Sequence, residues 1–335
     1  EHLGFGFLFD ENLSLESLKK FPVVCLPNAG ILSEREVELF RRYVEDGGKL
    51  LITGQSGQFD RMGKPLPAPM LEDLIGAKVK VRLEGTDNWM RFAAASIPGS
   101  GTMGFADTPE GEAARRKALH QQTVAFAPTI LRPGPANWPF LVRGPATAYE
   151  PTSALPVGEL LDSHRGALAN PSGYNADWPL SARQVVGPAV LLNSVGKGTV
   201  LTFAGSPDAA TASEHHIVEA RKLFANAVRL LNPAPRVRIT APANVEVGVT
   251  DDPATRTLRI HLIAYNATPQ TTPVKERPYV LPGLTEETPM FRASLELRDG
   301  LKGAKAMNRT TQLKKRGNRV ELTVEDIYEV IQCRY

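Results

Sequence analysis

The sequence predicts a doubly wound parallel α/β sheet followed by a small all-β sandwich. Two observations predict the α/β part: short runs that are apolar on both faces, and helical segments that alternate with them. A third observation predicts the sandwich, because from Val237 onward apolar residues recur with period two between turn residues. The length of 335 residues fits two domains, with room for a third.

Glycine or proline residues bound the first predicted strands, and a capping motif marks the start of a helix. The runs that predict strands are Gly4–Phe9, Pro22–Pro27 and Lys49–Thr53. Residues Leu13–Lys20 have the length of a short helical crossover. Ser33 and Glu36 predict a capping box, in which each side chain bonds the backbone amide of the other residue. The helix that they begin is expected to end at Gly47, which favours a left-handed stop.

The α/β pattern returns near residue 189. Strands are predicted at Ala189–Leu192 and Thr199–Phe203, on either side of a turn at Gly196–Gly198. A helix is expected to begin near Ser213 and to end at Pro233. Its apolar face is formed by residues at helical spacing, namely Ile217, Ala220, Phe224, Ala227 and Leu231.

A proline-rich linker, Asn232–Pro235, separates the two predicted domains. The α/β domain takes residues 1–232 and the sandwich takes residues 236–335. Within the sandwich, strands are predicted at Arg259–Tyr265, Ser294–Leu297 and Arg319–Val324.

An irregular insertion of the α/β domain covers about residues 85–188. It holds all three tryptophans of the chain, Trp89, Trp138 and Trp178, among many Gly, Pro and Asn residues. A helix is predicted from Thr108, where Thr caps and Pro109 takes the first helical position. A long insertion of this kind in a compact domain is usually functional or disordered.

Composition excludes several classes of protein. With 42% hydrophobic and 22% charged residues, the chain is not disordered throughout. A formal charge of +3 argues against a nucleic-acid surface spread over the molecule, and no apolar run approaches the roughly 20 residues that span a bilayer. Two cysteines, Cys25 and Cys333, are too few for a disulfide scaffold or a four-cysteine zinc site.

Because the first residue is Glu1 and a strand is predicted at once, we expect a signal peptide or larger segment upstream.

Several motifs, taken in order, resemble the trimerisation domain of bacterial beta-galactosidases and related glycosidases. The segments that carry the resemblance are Pro22–Ala29, Leu32–Val37, Tyr43–Gly54, Phe59–Lys64, Leu71–Gly76 and Gly196–Phe203. They include a strand that ends in Leu-Pro-Asn, a Leu-Ser-x-x-Glu helix start and a Gly-Gly-x-Leu strand. His261–Asn266 resembles the first strand of the β-sandwich that follows in such proteins. The resemblance covers most of residues 1–84 and 185–335 but not the insertion.

The resemblance implies a role without catalytic residues. In that family a (β/α)8 barrel lies upstream and carries the two carboxylates that glycoside hydrolysis needs. The family's α/β domain has the flavodoxin-like fold of class I glutamine amidotransferases, and it holds subunits together. The chain is therefore expected to be the assembly and substrate-framing part of a glycoside hydrolase. Its implied partners are the barrel, on the same polypeptide or a separate chain, the carbohydrate substrate, and further copies of itself, with a trimer favoured.

The sequence lacks the nucleophile of the amidotransferases. That family places a Cys at the turn after a central strand and a His-Pro-Glu later, whereas this chain has Thr53–Gly57 and Ser206–Asp208 at those positions. Cys25 lies in the middle of an apolar run and is expected to be a small buried residue. Ser56 sits at a Gly-x-Ser-Gly turn without the five-residue hydrolase frame, which favours a structural turn serine.

Two histidines follow Asp208 closely in the sequence and could suggest a metal site. In Glu214-His215-His216 the two neighbouring imidazoles would point about 100° apart on a helix, so one ion is not easily held by both. His261, in an apolar strand, is expected to be a core or interface residue. The residues thus predict neither a metal nor a cofactor.

The aromatic residues of the insertion are the predicted contact residues. Sugar rings stack on aromatic faces, and neighbouring Asn and Asp side chains can bind hydroxyl groups. The predicted carbohydrate or interface contacts are Trp89, Trp138, Tyr174, Asp177 and Trp178. Packing of the insertion's own small core is the alternative explanation for these residues.

Two other functions fit the sequence. One is a stand-alone hydrolase that uses Ser56 or residues of the insertion, and the other is a free carbohydrate-binding module. Cytoplasmic, secreted and periplasmic locations are all compatible with the sequence.

Overall fold

The computed structural model describes residues 1–83, 87–92, 131, 133, 139–161, 185–212, 217–264 and 290–335. These residues form two compact units, each with its own apolar core: Leu8–Pro233, and Glu1–Phe7 together with Ala234–Tyr335. Both units are rich in β-structure. Within the described ranges, no helix has the length and apolar character needed to cross a bilayer.

The first unit, Leu8–Pro233, is an α/β unit that begins with a 3₁₀ turn at Asp10–Asn12. Its helices are α1 (Leu15–Lys19), α2 (Glu34–Glu45), α3 (Glu72–Ile75), α4 (Pro207–Ala212) and α5 (Val218–Leu231). Its strands are β1 (Val23–Pro27), β2 (Lys49–Thr53), β3 (Ala77–Leu83), β4 (Asp87–Arg91), β5 (Phe140–Arg143), β6 (Ala146–Pro151), β7 (Leu155–Val157), β8 (Glu159–Leu161), β9 (Val185–Gly187), β10 (Val190–Val195) and β11 (Gly198–Phe203).

A five-stranded mixed sheet forms the centre of the α/β unit, in the order β1-β2-β11-β10-β7. Strands β1, β2 and β11 are parallel, and β10 and β7 pair antiparallel. The predicted hairpin is confirmed, with Gly196 in the left-handed region at φ 56°. All six residues of β11 are buried, so both faces of the sheet are covered there.

Local signals explain the main helices. The predicted capping box is present: Glu36 Oε2 accepts from the Ser33 amide at 2.6 Å, and Ser33 Oγ accepts from the Glu36 amide at 3.3 Å. Gly47, at φ 111°, follows the end of α2 as expected. In α5 the predicted apolar face packs inward, whereas the predicted start at Ser213 lies outside the described residues.

The strand predicted at Gly4–Phe9 is wrong. Residues 1–9 form no regular element, and Glu1–Phe7 groups with the sandwich unit, where the ring nitrogen Nε2 of His2 contacts the Pro242 carbonyl oxygen at 3.1 Å. The side chains of Phe5, Phe7 and Phe9 are 82%, 74% and 63% exposed. An apolar run forms a buried strand only when a neighbouring strand pairs with it and a core covers it.

The insertion is more regular than the sequence indicated. Strands β4 to β9 all fall within residues 85–188, and β7 belongs to the central sheet. Strands β5, β4, β8 and β9 form a second sheet, and β3 pairs with β6. These strands are short and their partners are distant in sequence, so local patterns did not reveal them. The helix predicted at Thr108 lies outside the described residues.

The second unit contains two antiparallel four-stranded sheets, as the period-two pattern predicts. Its strands are β12 (Val237–Thr240), β13 (Val245–Asp252), β14 (Thr257–Ala264), β15 (Phe291–Leu297), β16 (Gly303–Ala306), β17 (Gln312–Arg316), β18 (Arg319–Val324) and β19 (Tyr328–Arg334). The sheets have the orders β12-β15-β18-β17 and β13-β14-β19-β16. Residues of both sheets share one core, including Ile260 and Ile331 of one and Leu295 and Leu322 of the other.

Candidate functional site

The carboxyl ends of β1, β2 and β11 meet at one edge of the central sheet. Ligands of open α/β sheets bind at such an edge, so it is the first place to look for a site. Four polar residues follow or end these strands, and we refer to Asn28, Thr53, Ser56 and Asp208 as the edge cluster.

Ser56 is buried and holds the turn after β2. Its side chain is 1% exposed, and its hydroxyl oxygen accepts from the Ala29 amide at 2.9 Å. The hydroxyl lies within donating distance of the carbonyl oxygens of Thr53, at 2.8 Å, and Leu26, at 3.1 Å. A nucleophilic serine needs a base within hydrogen-bond reach and access to substrate. These backbone contacts instead tie the ends of β1 and β2 together.

A chain of hydrogen bonds connects the remaining members of the edge cluster. Asn28, in the left-handed region at φ 50°, accepts at Oδ1 from the Gln55 amide at 2.9 Å. The backbone amide of Asn28 donates to Thr53 Oγ1 at 3.1 Å, and the Thr53 hydroxyl donates to Asp208 Oδ2 at 3.0 Å. These hydrogen bonds run from Asp208 through Thr53 to Asn28, and they connect residues that end or follow β11, β2 and β1.

Asp208 is the member of the edge cluster whose pKa is shifted. Burial raises the pKa of its carboxyl group, and hydrogen bonds from Thr53 and from the backbone amides of Asp208 and Ala209 oppose the rise in part. Its Oδ1 atom is buried and has no hydrogen-bond partner among the described residues. Glycoside hydrolysis requires a second carboxyl group at about 5 to 10 Å. Among the described residues, no hydrogen bond or charge interaction of Asp208 involves a second carboxyl group.

Neither cysteine has the environment of a reactive thiol. Burial raises the pKa of Cys25 to about 12, and the negative charge of Asp208 adds to the rise. Burial also raises the pKa of Cys333 to about 11. Both thiols therefore stay protonated at neutral pH. Cys25, which was predicted to be a small buried residue, is partly buried, and Cys333 is buried.

A buried network anchors the loop that follows the edge cluster. Gln58 is fully buried, and its Nε2 donates to Thr147 Oγ1 at 3.1 Å and to the Tyr149 hydroxyl at 3.0 Å. Arg82 Nε donates to Gln58 Oε1 at 2.9 Å, and another of its nitrogens donates to the Leu66 carbonyl. The network links β3 and β6 to the loop that follows the edge cluster.

Of the predicted contact residues, the structure places Trp89. It lies in β4, half-buried, paired with Leu141 of β5 and Leu161 of β8. The other four, Trp138, Tyr174, Asp177 and Trp178, lie outside the described residues. Next to Trp89, the Arg91 side chain forms an ion pair with Glu159.

The described histidines are not arranged as metal ligands. Glu214, His215 and His216 lie outside the described residues, and the described ones contain no group of three His, Cys, Asp or Glu side chains suited to a metal ion. His261 is half-buried on the outer face of β14, where its Nδ1 lies 2.7 Å from the Tyr328 hydroxyl. Of the two predicted positions, core or interface, the core position is wrong, because the strand alternates and His261 falls on the outer side. An interface position stays a prediction.

Asn28 and Thr53 were missed by the sequence reasoning. The available signal was their position, since each stands at the carboxyl end of a predicted parallel strand. Asp208 was considered only as a metal partner, because its contact with Thr53 depends on β11 lying beside β2.

No protein-family model matches the sequence, and no curated protein matches it. The fold is similar to that of solved glycoside hydrolases. Alpha-L-fucosidase isoenzyme 2 from Paenibacillus thiaminolyticus matches 96% of this chain at 15% identity and a TM-score of 0.59. A beta-galactosidase from Bacillus circulans sp. alkalophilus matches 95% at 14% identity and a TM-score of 0.52. A GH42 beta-galactosidase from G. stearothermophilus matches 95% at 13% identity and a TM-score of 0.51.

The chain spans only part of each of these enzymes. It covers 42% of the fucosidase, 34% of the Bacillus beta-galactosidase and 32% of the GH42 beta-galactosidase. At these identities the likeness concerns the fold alone.

Proposed function

We propose that the chain is a non-catalytic assembly and substrate-framing portion, or a separate subunit, of a glycoside hydrolase. The catalytic (β/α)8 barrel belongs to another part of the same gene product or to another chain. The proposal rests on the share of each chain that takes part in the fold similarity. At least 95% of this chain matches each of the three enzymes named above, whereas the matched part is less than half of each enzyme.

The chemistry of the edge cluster supports this role. The most plausible nucleophiles of the α/β unit are Ser56 and Cys25. Ser56 is bound to backbone groups, and the pKa of Cys25 is about 12. The stand-alone hydrolase acting through Ser56 therefore has no geometric support. The α/β unit is better suited to hold a rigid surface than to perform a reaction.

We extend the proposal to the kind of assembly. The α/β unit is a trimerisation-type domain with a flavodoxin-like, amidotransferase-like architecture, and the insertion lies against a barrel or a second subunit. Aromatic residues anchor protein interfaces and stack on sugars, which suits Trp89, Trp138, Tyr174 and Trp178, with Asp177 as a hydroxyl partner. Support comes from the order of the sequence motifs and from the parallel arrangement of β1, β2 and β11.

The test is hydrolysis of a panel of aryl-glycosides by the purified chain of residues 1–335. The expected result is no turnover above that of the buffer. Asp208→Asn is the informative variant, and Asp46→Asn, a change at an exposed carboxyl group paired with Lys19, is its matched control. Sustained hydrolysis that Asp208→Asn abolishes and Asp46→Asn preserves would overturn the proposal in favour of an enzyme built on the edge cluster.

Recovery of the complete reading frame is an independent test. A barrel encoded in the same frame, or in a neighbouring gene whose product co-purifies with the chain, supports the proposal. Efficient aryl-glycoside hydrolysis by that barrel with unchanged kcat/KM in the absence of this chain would contradict the substrate-framing role.

A further inference from the structure

A cleft of about 840 Å³ lies on the outer face of the sheet β12-β15-β18-β17 in the sandwich unit. Its volume is within the range of about 300 to 1,000 Å³ that is typical of ligand sites. The floor is formed by short polar side chains that point outward: Thr240, the Ser294 that pairs with it, and Thr323. Because the floor residues are short, long side chains at the margin rise above them.

The margin of the cleft carries positive charge. Arg292, Lys314 and Arg319 line it, and among the described lining residues Glu321 is the one carboxylate. The Arg319 Nε and Glu321 Oε1 atoms are 3.8 Å apart, and both side chains are about half exposed, so this pair is weak. The cleft therefore presents an excess of cationic groups to a ligand.

The strand register sets the spacing of these cations. Lys314 is two strands away from Arg292 and two residues further along the sheet. Arg319 is one strand away from Lys314 and also two residues along the sheet. Strand spacing of about 4.8 Å and a rise of about 3.4 Å per residue put the three Cα atoms roughly 8 to 14 Å apart. A small anion reaches one or two of them, whereas an extended polyanion reaches all three.

The described lining residues include no aromatic side chain. Neutral sugars are commonly bound by stacking on aromatic rings, and the cleft does not offer this surface. It offers hydroxyl and amide groups, including Gln312, for sugar hydroxyls, and guanidinium and ammonium groups for carboxylate or sulfate.

We infer that this cleft binds an acidic polysaccharide, a sugar polymer that carries carboxylate or sulfate groups. The choice of a saccharide among polyanions rests on the proposed function, whereas the choice of an anionic polymer rests on the charge and spacing of the cleft. The sandwich unit thereby holds the polymer to which the hydrolase is directed.

The experiment is a titration of the 335-residue chain with polygalacturonate, which carries carboxylates, and with dextran sulfate, which carries sulfates. Neutral dextran and poly-L-glutamate are titrated in parallel. The test variant is Arg292→Gln with Lys314→Gln. The matched control is Lys78→Gln with Lys80→Gln, which removes the same charge from exposed positions of β3 in the other unit.

The expected result is binding of at least one acidic polysaccharide, weakened at least about tenfold by the cleft double variant and less than about twofold by the control, since the cleft variant removes two of the three cationic groups that line the cleft. Binding should weaken as salt is added. A preference for polygalacturonate or for dextran sulfate identifies the anionic group.

Three results would overturn the inference: no binding of either acidic polymer, equal weakening by both double variants, or equally tight binding of poly-L-glutamate, which would indicate an acidic protein partner. None of these measurements depends on hydrolysis or assembly. A failure here and a failure of the proposed function are therefore distinguished by separate experiments.

Discussion

Gly54 occupies a restricted backbone position between Thr53 and Ser56 of the edge cluster. Its φ is 61°, and a Cβ added there would lie 2.4 Å from Asn28 Oδ1 and 2.8 Å from Ser206 Oγ. Gly63 has a similar φ of 74°, but an added Cβ would meet nothing within 4 Å. Gly63→Ala is therefore expected to cost only the left-handed penalty of about 1 to 2 kcal/mol. Gly54→Ala adds a clash and should cost at least about twice as much, measured as the free energy of unfolding in urea. Equal costs would show that Asn28 moves aside freely.

Asp208 makes the stability of the α/β unit depend on pH in a defined direction. Burial raises the pKa of its carboxyl group in the folded state above its unfolded value of about 3.9. The folded state therefore holds its proton more tightly, and stability falls as pH rises from that value through the folded pKa. In Asp208→Asn this contribution is absent, so the variant should gain stability relative to the native chain over the same pH range. Thermal unfolding of both proteins from pH 4 to pH 8 measures the difference, and a constant difference would contradict the prediction.

At the scale of elements, α2 depends on its capping box. Ser33→Ala removes the acceptor for the Glu36 amide and leaves Glu36 without its hydroxyl donor. The expected loss is about 1 kcal/mol of unfolding free energy. Ser33→Thr keeps the hydroxyl and is the matched control, so it should retain most of the stability. An Ala variant as stable as the Thr variant would mean that packing alone fixes the start of α2.

Elements with local signals were predictable from the sequence, and elements that depend on distant partners were not. The capping box of α2 and the glycine turn between β10 and β11 each lie within a few residues, and both were found. The short strand β8 pairs with β4 about 70 residues earlier, which no local pattern encodes. The edge cluster behaves in the same way, because Thr53 and Asp208 meet only through the pairing of β2 with β11.

At the scale of the molecule, the two units have separate cores, and we propose a different role for each. At the strand edge of the α/β unit, Asn28, Thr53, Ser56 and Asp208 each form hydrogen bonds within the unit, which suits a structural surface. The sandwich unit has a cationic cleft on an outer sheet face, which suits a ligand. In the function that we propose, such a chain contributes position and binding, and the barrel supplies the bond-breaking carboxylates.

The assembly itself is the broadest prediction. Light scattering of the native protein should give an oligomer, with three copies of each chain as the expected number. Stable interfaces bury about 1,200 Å² or more and rely on aromatic anchors, so Trp89→Ala, Trp138→Ala and Trp178→Ala should each be tested for dissociation and for weaker substrate affinity. Val185→Ala, at a residue 51% exposed in the same sheet as Trp89, controls for the loss of apolar surface alone. At least one tryptophan variant should lower the oligomer mass or the affinity about tenfold, whereas the control should change neither. A native protein that is strictly monomeric, with all three variants retaining full activity and affinity, would refute the assembly role.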